Sequence, residues 1–149
     1  MTSTDPSDRA ALRRDLRERR RALPAGERIA GAERLAERLL ALPVPDGGHV
    51  AGYWAMDGEI ALHAWQLRLP RAATYCLPVL HADGRLRFAP WRPGDALAPN
   101  RYGIPEPAVP ADALLPGEAM ALVVLPLVGF DTRGHRLGMG AGWYDRTFA

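Results

Sequence analysis

The apolar run from Ala119 to Val128 constrains the fold of this chain more than any other segment. Valines stand at its centre, and such a run predicts a strand buried on both faces of a parallel sheet. Helical and apolar extended segments alternate before it. We predict helices over 8–23, 26–42 and 61–69, and strands over 49–55, 74–80 and 86–91. This alternation predicts a three-layer α/β/α fold with a mostly parallel sheet.

The length of the chain, 149 residues, predicts a single domain with its own core. We expect residues 1–7 to form a flexible tail, with Ser7 as the N-cap of the first helix. Residues 92–118 are rich in proline and glycine, which predicts a long ordered loop over the surface.

Composition excludes several classes of protein. All 19 basic residues are arginine, which excludes a lysine nucleophile or a P-loop lysine. The single cysteine, Cys76, excludes an internal disulfide and lies in an apolar segment, where an inert buried thiol is expected. The net charge of +2 does not favour nucleic acid, and no apolar stretch predicts a membrane span or a secretory signal. We therefore expect a cytoplasmic protein.

A glycine-rich segment follows the apolar run. It reads Arg136-Leu137-Gly138-Met139-Gly140-Ala141-Gly142-Trp143-Tyr144-Asp145-Arg146. Glycines at alternate positions let main-chain N–H groups approach a ligand closely, and arginines supply forked donors for phosphate oxygens. Glycines alone also occur in ordinary tight turns, but the aromatic rings, Asp145 and the nearby Asp131 and Arg133 favour a site. The segment therefore predicts a site for a phosphorylated nucleotide and an aromatic co-substrate.

Two other segments are candidates for the same site. Arg9, Arg13, Arg17 and Arg20 recur on one face of the first helix, and although a solvated face is the simpler interpretation, one or two of them can reach a triphosphate. Trp54 and Glu59 flank a short turn after the first strand, which is either an exposed acidic turn or a ring-binding wall with an acceptor. Glu106 lies in a proline-rich turn that is either structural or directed at a pocket.

Together these segments resemble the 5-formyltetrahydrofolate cyclo-ligases, also called 5,10-methenyltetrahydrofolate synthetases. The main motif of that family is Pro-x-x-x-Phe-Asp followed by Gly-x-Arg-Leu-Gly-x-Gly-x-Gly-Tyr-Tyr-Asp. It is similar to residues 126–131 and 134–145, with Trp143 in place of the first tyrosine. Three further segments match in the same order: 9–13, 57–60 and 102–107.

The resemblance implies a Rossmann-like fold of the sugar-phosphate isomerase and CoA-transferase type, and it assigns site residues. ATP would be bound by Arg9, Arg13, Arg136, Leu137, Gly138, Met139, Gly140, Ala141, Gly142, Trp143 and Tyr144. The reduced folate would be bound by Trp54, Glu59, Met139, Gly140, Ala141, Gly142 and Trp143. Asp145 would hold Mg²⁺, and the catalytic residues would be Arg136, Trp143 and Asp145.

The implied reaction is the ATP-dependent cyclisation of 5-formyltetrahydrofolate to 5,10-methenyltetrahydrofolate, with release of ADP and phosphate. We expect ATP and a reduced folate as the partners, and a monomer. Family members continue past the loop with another helix, strands and a further acidic residue, so we expect a C-terminally truncated single domain. The alternatives are a catalytically impaired remnant, a phosphate-binding α/β isomerase, or a nucleic-acid binder that uses the arginine helix.

Overall fold

The computed structural model describes residues 5–149, so residues 1–4 of the expected tail lie outside the described residues. Helix α1 spans Pro6–Arg21 and begins two residues earlier than predicted. Its N-cap is Asp5, whose Oδ1 accepts the N–H of Ser7 at 3.1 Å, so the prediction of Ser7 as the cap is wrong. Pro6 takes the first helical position, where its fixed φ favours the helix and its missing N–H costs nothing.

The remaining elements follow the predicted alternation of helices and strands. They are α2 (Ala25–Leu40), β1 (His49–Ala51), α3 (His63–Arg68), β2 (Thr74–Leu80), β3 (Leu86–Pro90), β4 (Leu97–Pro99), β5 (Pro105–Pro107), β6 (Met120–Val123), β7 (Gly129–Phe130), β8 (Arg136–Leu137) and α4 (Trp143–Thr147). The predicted surface loop over 92–118 is not structureless, because β4 and β5 pair as an antiparallel hairpin within it.

The central sheet has four strands in the order β3-β2-β1-β6. β1 lies parallel to both β2 and β6, whereas β3 runs antiparallel to β2. The prediction of an α/β fold with a mostly parallel sheet is therefore confirmed. The side chains of successive residues alternate between the two faces of each strand, so the sheet builds two cores.

One core lies between the sheet and the helices α2 and α3. Val50, Tyr75 and Leu77 of the sheet pack there with Ala36 of α2 and Trp65 of α3. The second core is smaller and is covered by α4. It contains Ala51, Cys76, Leu86 and Phe88, with Trp143 and Tyr144 packed against it. The sheet thus has helices on both faces, and Cys76 is buried as predicted.

The expectation that 119–128 is the best buried strand is wrong. Only Met120–Val123 form a strand, and within the described sheet β6 occupies an edge. Its residues are half-buried or exposed, in contrast to the buried Val50 and Ala51 of β1. An apolar run indicates a strand but not its place in the sheet, because the order of strands is set by tertiary packing. None of the helices within 5–149 is long and apolar enough to cross a membrane.

Candidate functional site

The glycine-rich segment leaves the sheet through a small hairpin. β7 and β8 pair antiparallel, and the turn between them is closed by Asp131, whose Oδ1 accepts the N–H groups of Arg133 and His135 at 2.9 Å each. Asp131 therefore stabilises the turn that precedes the glycine-rich segment. The hydrogen bond between Oδ2 of Asp131 and the side chain of His135 is the main cause that lowers the pKa of Asp131.

Residues 138–142 form a loop that is exposed at residues 139–141 and half-buried at Gly138 and Gly142, and two of its glycines have a positive φ. Gly140 has a φ of 103° and Gly142 a φ of 76°, values that L side chains rarely adopt. Gly142 is the N-cap of α4. Arg146, one turn into that helix, donates from Nη1 to the carbonyl of Ala141 at 2.8 Å and from Nε to the carbonyl of Gly84 at 2.7 Å. The loop is thus fastened to the β2–β3 turn while its outer surface stays open.

Helix α1 meets this loop through Arg13. Its Nε donates to the carbonyl of Gly138 at 2.9 Å, and the guanidinium lies 3.5 Å from the position that a Cβ on Gly140 would take. A Cβ at position 140 would therefore lie in ordinary van der Waals contact with the arginine. Arg13 and the glycine loop, predicted to bind the same nucleotide, therefore lie together. Arg9 is exposed on the same helix, and its role stays a prediction.

Arg136 and Asp145 face each other across the base of the loop. Nη2 of Arg136 donates to Oδ1 of Asp145 at 3.3 Å, with the two side chains 44% and 79% exposed. So exposed a pair contributes little to folding, which leaves both groups available to a ligand. No cluster of three or more metal-ligating side chains occurs within 5–149. Asp145 is a single carboxylate. It could hold Mg²⁺ only if nucleotide phosphates and water supplied the other ligands, and Mg²⁺ accepts such a set of donors.

Two arginine side chains lie over the ring of Trp143. The guanidinium of Arg101 lies 5.3 Å and that of Arg146 4.9 Å from the ring centroid, within cation–π range. The indole N–H donates to the hydroxyl of Tyr102 at 3.4 Å. Trp143 also lines a cleft of about 300 Å³, together with Arg101 and Glu106.

Glu106 is both structural and directed at this cleft. Its Oε2 accepts the N–H of Leu80 at 2.8 Å and the side-chain amide of Asn100 at 3.0 Å. These bonds tie the β4–β5 hairpin to the carboxyl end of β2. The two interpretations of Glu106 that the sequence left open are therefore compatible.

Glu59 and Tyr53 lie beyond the carboxyl end of β1 and line a larger cleft, of about 560 Å³. Oε1 of Glu59 accepts the N–H of Met56 at 2.8 Å, and burial raises the pKa of Glu59. The hydroxyl of Tyr53 donates to the carbonyl of Ile60 at 2.7 Å, which fixes the same turn. Trp54 stands edge-on to Trp91 with ring centroids 5.7 Å apart and presents part of its ring to solvent.

The amino-acid sequence matches a known family over nearly its whole length. The sequence model described as the 5-formyltetrahydrofolate cyclo-ligase family matches residues 5–149. The chain belongs to this family.

Individual relatives agree with that assignment. The 5-formyltetrahydrofolate cyclo-ligase of Escherichia coli K12 is 38% identical over 136 residues, covering 89% of this chain and 75% of that protein. The protein of the same name from Mycolicibacterium smegmatis is 35% identical over 153 residues, covering 95% and 75%. The NMR structure of Aquifex aeolicus 5,10-methenyltetrahydrofolate synthetase matches with a TM-score of 0.77 at 27% identity, covering 93% of this chain and 71% of that one.

A second solved structure shares the fold. The 5,10-methenyltetrahydrofolate synthetase of Mycoplasma pneumoniae matches with a TM-score of 0.68 at 20% identity, covering 94% of this chain and 76% of that one. The α/β fold of this chain is therefore that of the cyclo-ligase family.

Tyr144 follows the loop and lies next to the smaller core. Its side chain packs against Cys76 and Phe88, and its assignment to ATP stays a prediction. Burial, followed by the negative charge of Glu59, raises the pKa of Tyr144.

The structure brings some predicted residues together and keeps others apart. Residues 138–142 line neither of the two clefts described above, although Trp143 lines the smaller and Glu59 the larger. The loop reaches the Glu59 turn through α1, which contacts Gly138 with Arg13 and the turn with Arg17 and Arg20.

Two residues of this region were missed by the sequence interpretation. Asp57 binds three arginines of α1, and the hydrogen bond from Arg21, followed by that from Arg17, lowers the pKa of Asp57 to about 2. Arg101 stacks on Trp143 from the β4–β5 hairpin. The arginine face of α1 was a usable signal for a carboxylate partner, whereas nothing in the sequence pattern indicated the position of Arg101.

Proposed function

We propose that this chain catalyses the ATP-dependent cyclisation of 5-formyltetrahydrofolate to 5,10-methenyltetrahydrofolate, with release of ADP and phosphate. The observation that carries the proposal is the hydrogen bond from Arg13 to the carbonyl of Gly138. It joins a cationic helix to an exposed glycine loop with left-handed residues, which is an arrangement suited to phosphate. Membership of a ligase family supports the same activity.

The nucleotide would lie along the loop from Gly138 to Gly142. Gly140 is exposed and Gly138 and Gly142 are half-buried, and without a Cβ each glycine lets a main-chain N–H group approach a ligand closely. Arg13 and Arg136 add fixed positive charge on either side of this stretch and would neutralise the terminal phosphates. We assign Arg9 to the same nucleotide because it precedes Arg13 by one helical turn.

The reduced folate would lie toward Glu59 and Trp54. The carboxylate of Glu59 would accept N–H groups of the pterin ring, and the exposed part of Trp54 would contact its face. The cleft that Glu59 lines, about 560 Å³, is of a size that holds a small-molecule substrate. Residues 139–143 would complete the substrate site from the loop side; residues 139–141 are exposed and Gly142 and Trp143 are half-buried.

The proposed reaction requires that the two substrates be oriented toward each other and that the charge on the transferring phosphoryl group be neutralised. The formyl oxygen would attack the γ-phosphorus, the bond from that phosphorus to the bridging oxygen would break, and ADP would leave. N10 of the folate would then attack the formyl carbon and lose its proton, and the C–O bond would break to release phosphate. Arg13 and Arg136 would stabilise the transferring phosphoryl group, which is the dominant contribution in such reactions.

Mg²⁺ is included in the proposal at Asp145. When bound, the ion would neutralise phosphate charge beside the loop, and the carboxylate of Asp145 is exposed enough to reach it. Arg136 pairs with Asp145 and both side chains are exposed, so the two groups are placed to meet one nucleotide together: Asp145 would hold the metal, and Arg136 would contact the phosphates.

The experiment that tests the proposal is an assay that compares the amounts of ADP and methenyl product formed by the 149-residue chain. Purified protein is mixed with ATP, Mg²⁺ and 5-formyltetrahydrofolate, and both the methenyl chromophore and ADP are followed. We expect one ADP for each methenyl product, with neither formed when ATP or the folate is omitted. Phosphate release without methenyl formation, or no product at any enzyme concentration, would contradict the proposal.

A further inference from the structure

The turn between β1 and α3 is held by the first helix through one carboxylate. Oδ2 of Asp57 accepts hydrogen bonds from Nε of Arg17 at 2.9 Å and from Nη2 of Arg20 at 3.3 Å. Oδ1 accepts from Nε of Arg21, and Nε of Arg20 donates to the main-chain carbonyl of Asp57 at 3.0 Å. Three guanidinium groups thus converge on a side chain that is only 26% exposed.

This convergence holds the turn in an unusual backbone conformation. Asp57 has a φ of 54°, and it is the only non-glycine residue within 5–149 with a positive φ. Aspartate and asparagine tolerate this left-handed region better than other L residues, at some cost in energy. Gly58 follows with a φ of 76° and packs against Arg20 and Arg28. Charge-assisted hydrogen bonds from α1 therefore offset the strain and define the path of the turn.

The path of the turn decides where Glu59 lies. Glu59 follows Asp57 by two residues, and its Oε1 closes the turn on the N–H of Met56 at 2.8 Å. The same carboxylate lines the cleft of about 560 Å³ together with Arg20. A change in the φ of Asp57 would rotate the chain just before Glu59 and move its carboxylate relative to the cleft.

Helix α1 also connects this turn to the glycine loop. Arg13 and Arg20 are seven residues apart on one helical face, which places their Cα atoms about 10 Å apart along the axis. The carboxyl end of the helix is secured by Arg28, whose Nη2 donates to the carbonyls of Arg20 at 3.1 Å and Arg21 at 2.6 Å. The helix therefore sets the separation between Gly138 and the turn.

We propose that Asp57 is a positioning residue for binding of the reduced folate. By holding the turn against the arginines of α1, Asp57 fixes the position of the Glu59 carboxylate. The proposal rests on the proposed function, because Glu59 is taken there as the acceptor for the pterin ring. Asp57 itself does not contact the reacting atoms, and its effect on catalysis passes through Glu59 and through the spacing that α1 imposes.

The test compares Asp57→Asn, Glu59→Gln and the double variant. Asn suits a positive φ, so Asp57→Asn removes the charge with little added backbone strain. We expect it to raise KM for 5-formyltetrahydrofolate about tenfold and KM for ATP less than about threefold, because the Arg13–Gly138 contact is untouched. On the background of Glu59→Gln, the same substitution should add less than about a twofold further change.

A matched control is Glu33→Gln. Glu33 of α2 pairs with Arg68 of α3 and lines neither cleft, so losing this ion pair should leave both KM values unchanged. Equal rises in the two KM values of Asp57→Asn would overturn the inference. Full additivity of the Asp57 and Glu59 substitutions would do the same, since it would mean that Asp57 acts independently of Glu59.

A binding measurement separates this inference from the proposed function. Tryptophan fluorescence titrated with 5-formyltetrahydrofolate, without ATP, gives a Kd for each variant. An inactive wild-type chain that binds the folate, with a Kd raised about tenfold in Asp57→Asn, would refute the proposed reaction and support the role of Asp57. Turnover in the wild type with an unchanged Kd in Asp57→Asn would support the proposed reaction and overturn the role of Asp57. Absence of both turnover and folate binding would overturn both.

Discussion

Arg13 and Gly138 are hydrogen-bonded across 125 residues of sequence, with Nε of the arginine 2.9 Å from the carbonyl oxygen of the glycine. This contact joins the first helix to the loop that follows the last strands. Because the same helix binds Asp57 with Arg17, Arg20 and Arg21, it touches both halves of the proposed site. The consequences of removing each contact can be predicted separately.

Substitution of Arg13 by alanine is expected to weaken ATP binding more than folate binding. The change removes a charge-assisted hydrogen bond worth about 1.5–3 kcal/mol together with a cation beside the loop, so KM for ATP should rise at least about tenfold. The matched control is Arg14→Ala, because Arg14 is the next residue of α1 and is exposed. Equal effects of the two substitutions in steady-state kinetics would argue against a specific role for Arg13.

Substitution of Gly140 by alanine should impair the loop by backbone strain at a position next to Arg13. Its φ of 103° disfavours an L residue, and the new Cβ would lie 3.5 Å from the guanidinium of Arg13. Gly94 has a similar φ of 98° in a distant turn with open space around it, so Gly94→Ala is the matched control. Both variants should lose about 1–2 kcal/mol of stability in denaturant melts. Only Gly140→Ala should raise KM for ATP.

Arg136→Ala and Asp145→Ala are each expected to abolish cyclisation and leave the fold intact. Their ion pair is exposed, so each substitution should change the free energy of unfolding by no more than about 1 kcal/mol. Asp145→Ala should in addition remove the dependence of any residual ATP binding on Mg²⁺, measured by calorimetry with and without the ion. Turnover close to that of the wild type in either variant would refute the assigned roles.

The acid stability of the protein should depend on Asp57. Its pKa of about 2 in the folded protein lies below the ordinary value of 3.8. A lowered pKa stabilises the fold at pH values above the ordinary pKa, and this contribution is lost as the pH falls toward the folded value. Asp57→Asn should therefore melt at a lower temperature than the wild type near neutral pH, with a difference that shrinks between about pH 5 and about pH 2. A difference that stays constant over this interval would contradict the assignment.

The fold class and the placement of the arginine face of α1 could be predicted because both depend on local patterns, whereas the roles of the site residues stay predictions. The strand Thr74–Leu80 has the same bounds in the sequence interpretation and in the structure. The arginine face of α1 follows from helical periodicity alone, and the structure confirms that Arg13, Arg17 and Arg20 act from one side of the helix. Local propensity and periodicity were sufficient for these features.

The errors concern features that depend on tertiary packing. The apolar run after Ala119 indicated a strand, but its position at the edge of the described sheet depends on which strands pair. The partner of the arginine face, Asp57, lies 40 residues from Arg17, and no spacing rule connects them.

Binding of the reduced folate should weaken as the pH falls through the pKa of Glu59. Burial raises that pKa above its ordinary value of 4.5, so the carboxylate is protonated at a higher pH than an exposed glutamate. Once protonated, Glu59 is a poorer acceptor for the N–H groups of a pterin ring, and Kd for 5-formyltetrahydrofolate should rise.

The variant Glu59→Gln should bind the folate less tightly than the wild type at neutral pH, and its Kd should show no such acid dependence. Fluorescence titrations at a series of pH values measure this directly, and Glu106→Gln serves as a control because Glu106 lines the other cleft. If the wild type and Glu59→Gln weakened in parallel as the pH fell, the pterin rather than Glu59 would be the titrating group, and Glu59 would lose its assignment as the acceptor.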